Sequence, residues 1–147
     1  MRTHSHSPEL VNKIERLLRG ISTIVKQKGR EILTRFPITP PQFTALIYLM
    51  EEGDLTIGEL SQKMCLACST MTDLVDRMEK SGFVTRVRDE RDRRVVRIHM
   101  TERGETVIRD VMQARQEYLA EILGHFAPEE VKAIGQHLEM LYERMKD

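Results

Sequence analysis

Residues 68–100 read CSTMTDLVDRMEKSGFVTRVRDERDRRVVRIHM, and the change of period inside this stretch decides the fold. Met71, Leu74, Val75 and Met78 recur on one face of a helix running from about Cys68 to Lys80. Gly82 stands where a left-handed C-terminal cap belongs. From Phe83 to Arg88 and from Val95 to Met100 the pattern turns to the alternation and β-branched content of two short strands, joined by the charged run Asp89 to Arg94. Immediately upstream, Thr56-Ile-Gly-Glu59 is a capping box that opens a helix of about eight residues reaching the neighbourhood of Cys65. Two short helices, a tight turn and a hairpin make a winged helix-turn-helix, whose second helix enters the DNA major groove.

Further outward the periodicity is helical on both sides. Leu10, Ile14, Leu17, Ile21, Ile24, Val25 and Ile32 mark a long first helix over about 8–35, with Ser7 as N-cap and Pro8 at the first helical position. Thr39-Pro-Pro-Gln42 is a second capping box, opening a helix that carries Phe43, Leu46, Ile47 and Met50 and stops at Gly53. Thr101 caps a fifth helix to about Gly124, and Pro128 starts a sixth through Val131, Ile134, Leu138, Leu141 and Met145. The expected fold is mainly α with a small two-stranded β-hairpin wing. It forms a single domain over 1–147, with a winged lobe at 40–100 and dimerisation helices at 8–35 and 102–146. A winged core of about sixty residues cannot cover the apolar stripes of the first, fifth and sixth helices, so a second copy of the chain is expected to do so. The near-heptad spacing of the sixth helix suits packing on a partner helix; an intrachain bundle is the alternative. A two-fold dimer reads half-sites about 34 Å apart, which implies a pseudo-palindromic operator.

Bulk charge says nothing about nucleic acid, because 23 basic residues face 23 acidic ones across 147 residues. Local charge does. Val84 to His99 holds six arginines (Arg86, Arg88, Arg91, Arg93, Arg94 and Arg97) against Asp89, Glu90 and Asp92. Ser69, Thr70, Thr72, Asp73, Asp76 and Arg77 lie on or beside the outer face of the second helix, where they reach base edges or phosphates. Arginines at the hairpin tip suit a narrow minor groove and those on its strands suit phosphates. Arg91 is the candidate for insertion, oriented by Asp89, with Arg86, Arg93 and Arg94 as further contacts. The competing reading of both features is a solvated polar face with internal ion pairs.

Several classes are disfavoured. No apolar run approaches the roughly 18 residues that span a bilayer, and Met1 to Pro8 is polar, so no membrane association and a cytoplasmic location are expected. H-E-x-x-H, P-loop, G-x-G-x-x-G and G-x-S-x-G signatures are all absent, so no enzyme, cofactor or metal is expected. His4 and His6 read as tail residues rather than ligands, and His99, His125 and His137 are isolated in sequence. Cys65 and Cys68 form a C-x-x-C at a helix start, where the dipole can activate a thiol, but no second motif completes a zinc site. Packing cysteines are the favoured reading and a redox switch the alternative. Tyr48, Tyr118, Tyr142 and the nine methionines either line an effector pocket or belong to the core.

The runs Leu55-Thr-Ile-Gly-Glu-Leu-Ser-Gln-Lys-Met64, Ser69-Thr70, Leu74-Val-Asp-Arg-Met-Glu-Lys-Ser-Gly-Phe83, Asp89-Glu-Arg-Asp-Arg-Arg94 and Thr101-Glu-Arg-Gly104 together resemble the multiple-antibiotic-resistance regulator (MarR) family over nearly the whole chain. The resemblance implies a homodimer built from the terminal helices, double-stranded DNA bound by the fourth helix and wing, and release by a small-molecule effector. The expected function is thus a sequence-specific transcription regulator, a repressor. A thiol-based sensor using Cys65 and Cys68, or a protein-interaction module, is the alternative. The chain departs from the family pattern at Cys65, which replaces a turn glycine, at Ala67, which replaces a serine cap, and at Asp73 on the outer face. Redox-sensing members of this fold carry their cysteine in the first helix, which has none here.

Overall fold

A computed structural model describes residues 5–146; His4 lies outside them. The elements in chain order are α1 (Pro8–Leu33), α2 (Pro40–Glu52), β1 (Leu55–Thr56), α3 (Ile57–Met64), α4 (Cys68–Lys80), β2 (Val84–Arg88), β3 (Val96–Met100), α5 (Glu102–Leu123) and α6 (Pro128–Met145). The chain divides into two compact units, one ending at Val111 and the other beginning at Met112, within α5.

The first unit holds every buried hydrophobic side chain of the described residues. Ala45, Leu46 and Leu49 of α2, Leu60 of α3, and Met71, Val75 and Met78 of α4 form the core with Phe83, just before β2, and with Val84 and Ile98 of the sheet. Leu46, Leu60, Met71, Met78, Phe83 and Ile98 lose essentially all contact with solvent, each burial stabilising by about 1.5–3 kcal/mol. The sheet has three strands in the order β1-β3-β2, all antiparallel, rather than the two expected. Leu55 pairs with Ile98 and Thr56 with Arg97. Two residues are too few to show alternation, and Thr56 already serves as a helix cap, so β1 is invisible as a strand in the sequence.

Both capping boxes form. Thr39 Oγ1 accepts from the Gln42 N–H while Gln42 returns a bond to the Thr39 N–H, and Thr56 and Glu59 do the same at 3.1 Å each. The Thr56 N–H holds the Glu59 carboxyl below the usual carboxylate range. A carboxyl depressed in this way contributes stability above its unfolded-state pKa and loses it as the pH falls through the folded value. Ser7, by contrast, makes no side-chain cap bond, and α1 ends at Leu33, two residues before the expected end, with Thr34 as C-cap. Thr56→Ala is therefore expected to cost about 1 kcal/mol in urea unfolding and Ser7→Ala close to nothing; equal midpoint shifts for the two would contradict this assignment.

The strand ends differ from expectation for local reasons. Phe83 stays outside β2 because its N–H closes the C-terminus of α4 on the Met78 carbonyl (2.9 Å), with Gly82 at φ +82° making the reversal. Val95 stays outside β3 because its N–H turns back to the Asp92 carbonyl (3.0 Å).

The second unit contains the C-terminal part of α5 and all of α6, and none of its described residues is buried. Leu119, Ile122, Phe126, Leu138, Leu141, Tyr142 and Met145 stand exposed. On the first unit, α1 likewise exposes Leu10, Val11, Ile14, Leu17, Ile21, Ile24 and Val25.

Candidate nucleic-acid interface

The turn between α3 and α4 is closed by the Leu66 N–H on the Ser61 carbonyl (2.9 Å), which forces Cys65 into the left-handed region at φ 54°. A side chain at this position is disfavoured relative to glycine. Ala67 then begins α4 with no side-chain cap, so the first N–H groups of that helix are left for another acceptor. Met71, Val75 and Met78 anchor α4 to the core, and this leaves Ser69, Asp73, Asp76, Arg77 and Lys80, at spacings of three and four, on one exposed face with Thr70 beside them. Thr72 is half-buried, and its hydroxyl donates to the Cys68 carbonyl at 2.8 Å. It keeps only acceptor capacity.

The wing sorts its arginines into two groups. Arg86 is clamped between α4 carboxylates, Nη2 to Asp76 Oδ1 and Nη1 to Glu79 Oε1, both at 2.6 Å, and its own N–H reaches Glu79 Oε2. The Asp76 hydrogen bond, ahead of Glu79, raises the pKa of this guanidinium further despite partial burial. Arg88 donates to the Arg93 carbonyl (2.9 Å), Arg94 pairs with Asp92 through Nε and Nη2, and Arg97 lies 3.5 Å from Glu59. Arg91 and Arg93, by contrast, are exposed and have no side-chain partner among the described residues, as is true of Arg77 and Lys80 on α4.

Asp89 does not orient Arg91. Its backbone N–H closes the wing on the Val95 carbonyl (2.9 Å), and the carboxylate–arginine pair of the tip is Asp92–Arg94. Asp92 wins because its Oδ1 also accepts the Arg94 N–H (3.1 Å), which fixes the turn and holds its carboxyl below the usual range. The structure also brings in residues that the sequence left unremarked. Glu79 joins the Arg86 clamp, and Asp54, just before β1, meets His99 Nδ1 of β3 at 2.8 Å. The packing of α4 on β2 and the β1–β3 pairing place these partners together, and composition carries no trace of them.

Cys65 and Cys68 are both exposed, which removes the packing role expected of them. Tyr48 donates to the Lys63 carbonyl (3.3 Å), and Tyr142 is exposed beneath Lys146.

Comparison with known proteins gives this geometry its context. A family model described as "MarR family" matches residues 38–96. The uncharacterized HTH-type transcriptional regulator YsmB of Bacillus subtilis (strain 168) is 54% identical over 138 residues, covering 94% of each chain. The chain belongs to the MarR family. Among solved structures, a MarR family protein from Bacillus stearothermophilus superposes with a TM-score of 0.85 at 53% identity, covering 97% of this chain and all of the other. The transcriptional regulator Tm0710 from Thermotoga maritima does so with a TM-score of 0.82 at 38% identity, over 92% and 95% of the two chains. This MarR-family chain is accordingly a winged-helix, DNA-binding transcription regulator. No helix among its described residues is long and apolar enough to cross a membrane.

Proposed function

We propose that this MarR-family regulator is a cytoplasmic repressor that binds a pseudo-palindromic operator as a homodimer. The outer face of α4 (Ser69, Thr70, Thr72, Asp73 and Arg77) reads the major groove, and the wing tip enters the minor groove. The observation that carries this reading is the division among the wing arginines: Arg86, Arg88, Arg94 and Arg97 are engaged within the protein, while Arg91 and Arg93 are not. An exposed guanidinium without a carboxylate is the form that a phosphate or a narrow minor groove attracts. Arg94 and Asp89 hold the tip in shape, and Arg86 acts through α4 rather than on DNA. The exposed apolar stripes on α1 and on α6 support a two-fold partner, because seven large side chains on α1 and five on α6 are otherwise left in water. Release follows if a small effector binds more tightly to a dimer whose recognition helices are wrongly spaced, lowering DNA affinity by that difference.

The test is DNA binding to the promoter region flanking the chain's own gene, measured at several salt concentrations, with Arg91→Ala beside the parent. The expected result is salt-sensitive, sequence-preferring binding that weakens by about 1–3 kcal/mol in the variant, with a salt slope reduced by about one. A variant that binds like the parent would remove Arg91 from the interface, and absence of any sequence preference at low salt would sink the operator reading.

A further inference from the structure

We propose that Cys65 and Cys68 form a hydroperoxide-responsive dithiol that disables the recognition helix when oxidised; this rests on the DNA-binding reading above. Both thiols are free and exposed, so a small oxidant reaches them without any opening of the core. They flank the turn of the helix-turn-helix: Cys65 is the left-handed residue that ends α3, and Cys68 is the first residue of α4, next to Ser69 and Thr70. Chemistry on Cys68 therefore takes place at the end of the helix that would face the bases.

The reduced arrangement is specific. Cys68 Sγ lies 3.4 Å from the hydroxyl of Ser61, which is buried in α3. That hydroxyl has a single proton, already donated to the Gly58 carbonyl at 2.9 Å. The Cys68 thiol is thus the donor to Ser61 Oγ, and this contact ties the start of α4 to α3. Losing the S–H removes the donor.

In the first step the Cys68 sulfur attacks the terminal oxygen of the hydroperoxide. An S–O bond forms, the O–O bond breaks, and the leaving alkoxide takes up the thiol proton as an alcohol. The Cys65 thiol then attacks the sulfenic sulfur, forming the S–S bond and releasing water. The two thiols lose two electrons and the hydroperoxide gains them. A disulfide holds its Cα atoms about 4.4–6.8 Å apart with a fixed torsion. Ala67, between the cysteines, is extended at φ −65° and ψ 148°; on this proposal the bond to Cys65 takes the proton from Cys68 Sγ and with it the link to Ser61 Oγ.

The experiment uses the full chain, reduced and then treated with cumene hydroperoxide, on duplexes that the reduced protein itself selects from a random library. The expected result is a mass loss of about 2 Da mapped to the peptide containing residues 65–68, together with at least a roughly tenfold loss of DNA affinity that dithiothreitol reverses. Cys68→Ser removes the response. Cys65→Ser leaves a Cys68 sulfenic acid that dimedone traps. Thermal melts of both variants establish that they fold. A disulfide that leaves affinity within about twofold of the reduced protein overturns the proposal, as does a response that persists in Cys68→Ser or a bond that links two chains on a non-reducing gel. Reduced protein that selects no duplex sinks the DNA-binding reading and this proposal with it, whereas selected DNA with unreacted thiols sinks the proposal alone.

Discussion

Replacing Gly104 by alanine is expected to cost about 3 kcal/mol of stability and to lower the melting temperature by about 10 °C. The glycine lies in the first turn of α5, and the space around it, rather than its backbone conformation, makes it necessary. A Cβ built there would stand 2.4 Å from the Phe83 carbonyl oxygen and 2.9 Å from Met100 Cγ. Met100 can swing away. Phe83 cannot, because its carbonyl accepts the Thr101 N–H at 3.0 Å and its side chain is fully buried. Thr101 tightens the same corner, with its hydroxyl donating to the Gly82 carbonyl (2.6 Å) and accepting from the Gly104 N–H (3.1 Å). Alanine would push α5 off the junction between α4 and β2, where the wing begins. Gly58→Ala is the matched control: its Cβ would meet nothing closer than 3.8 Å, so the ordinary helical preference for alanine should leave it neutral or more stable by up to about 1 kcal/mol. Both are read by urea unfolding at one protein concentration, since assembly shifts apparent stability. A Gly104→Ala protein within about 0.5 kcal/mol of the parent would mean that the corner yields freely.

That corner shows which parts of the structure were legible in advance. Thr101 and Gly104 are marked by their spacing, and the capping boxes at Thr39 and Thr56 can be read directly, because each device is completed within four residues. The same locality exposes Cys65: the residue that follows a short helix and precedes a tight turn needs the left-handed region whatever its type. Arg86 shows where reading stops. As an isolated arginine on a strand it looks like a phosphate ligand, and nothing in the sequence says that the packing of β2 on α4 sets it against Asp76 and Glu79, ten and seven residues upstream. Asp89 fails as the partner of Arg91 for a related reason. Several carboxylates lie near several arginines at the wing tip, and the choice among them depends on which side chain can also accept a turn N–H, which is Asp92.

Arg86→Ala is accordingly expected to weaken operator binding by roughly tenfold or more while leaving its salt slope unchanged, the opposite signature to Arg91→Ala. Removing the guanidinium frees β2 from α4, so wing and recognition helix no longer hold one relative geometry, and misplacement of either weakens the contacts that both make. The cost in folding stability is smaller, about 1 kcal/mol, because the partners are roughly half exposed and solvent screens them. Arg86→Lys should recover little, since one ammonium cannot reproduce a planar fork that reaches two carboxylates at 2.6 Å. A competing cause has to be separated: without Arg86, Asp76 and Glu79 stand uncompensated on the helix proposed to face DNA, and their repulsion alone would weaken binding. The triple variant Arg86→Ala, Asp76→Asn, Glu79→Gln removes that repulsion without restoring the clamp. If positioning dominates, it recovers less than about half of the lost binding free energy, and the coupling between Arg86 and Asp76 in a double-mutant cycle on affinity exceeds their coupling on stability. Recovery to the level of the parent would assign the effect to charge and leave the wing held by the β2–β3 ladder and the Phe83 corner alone.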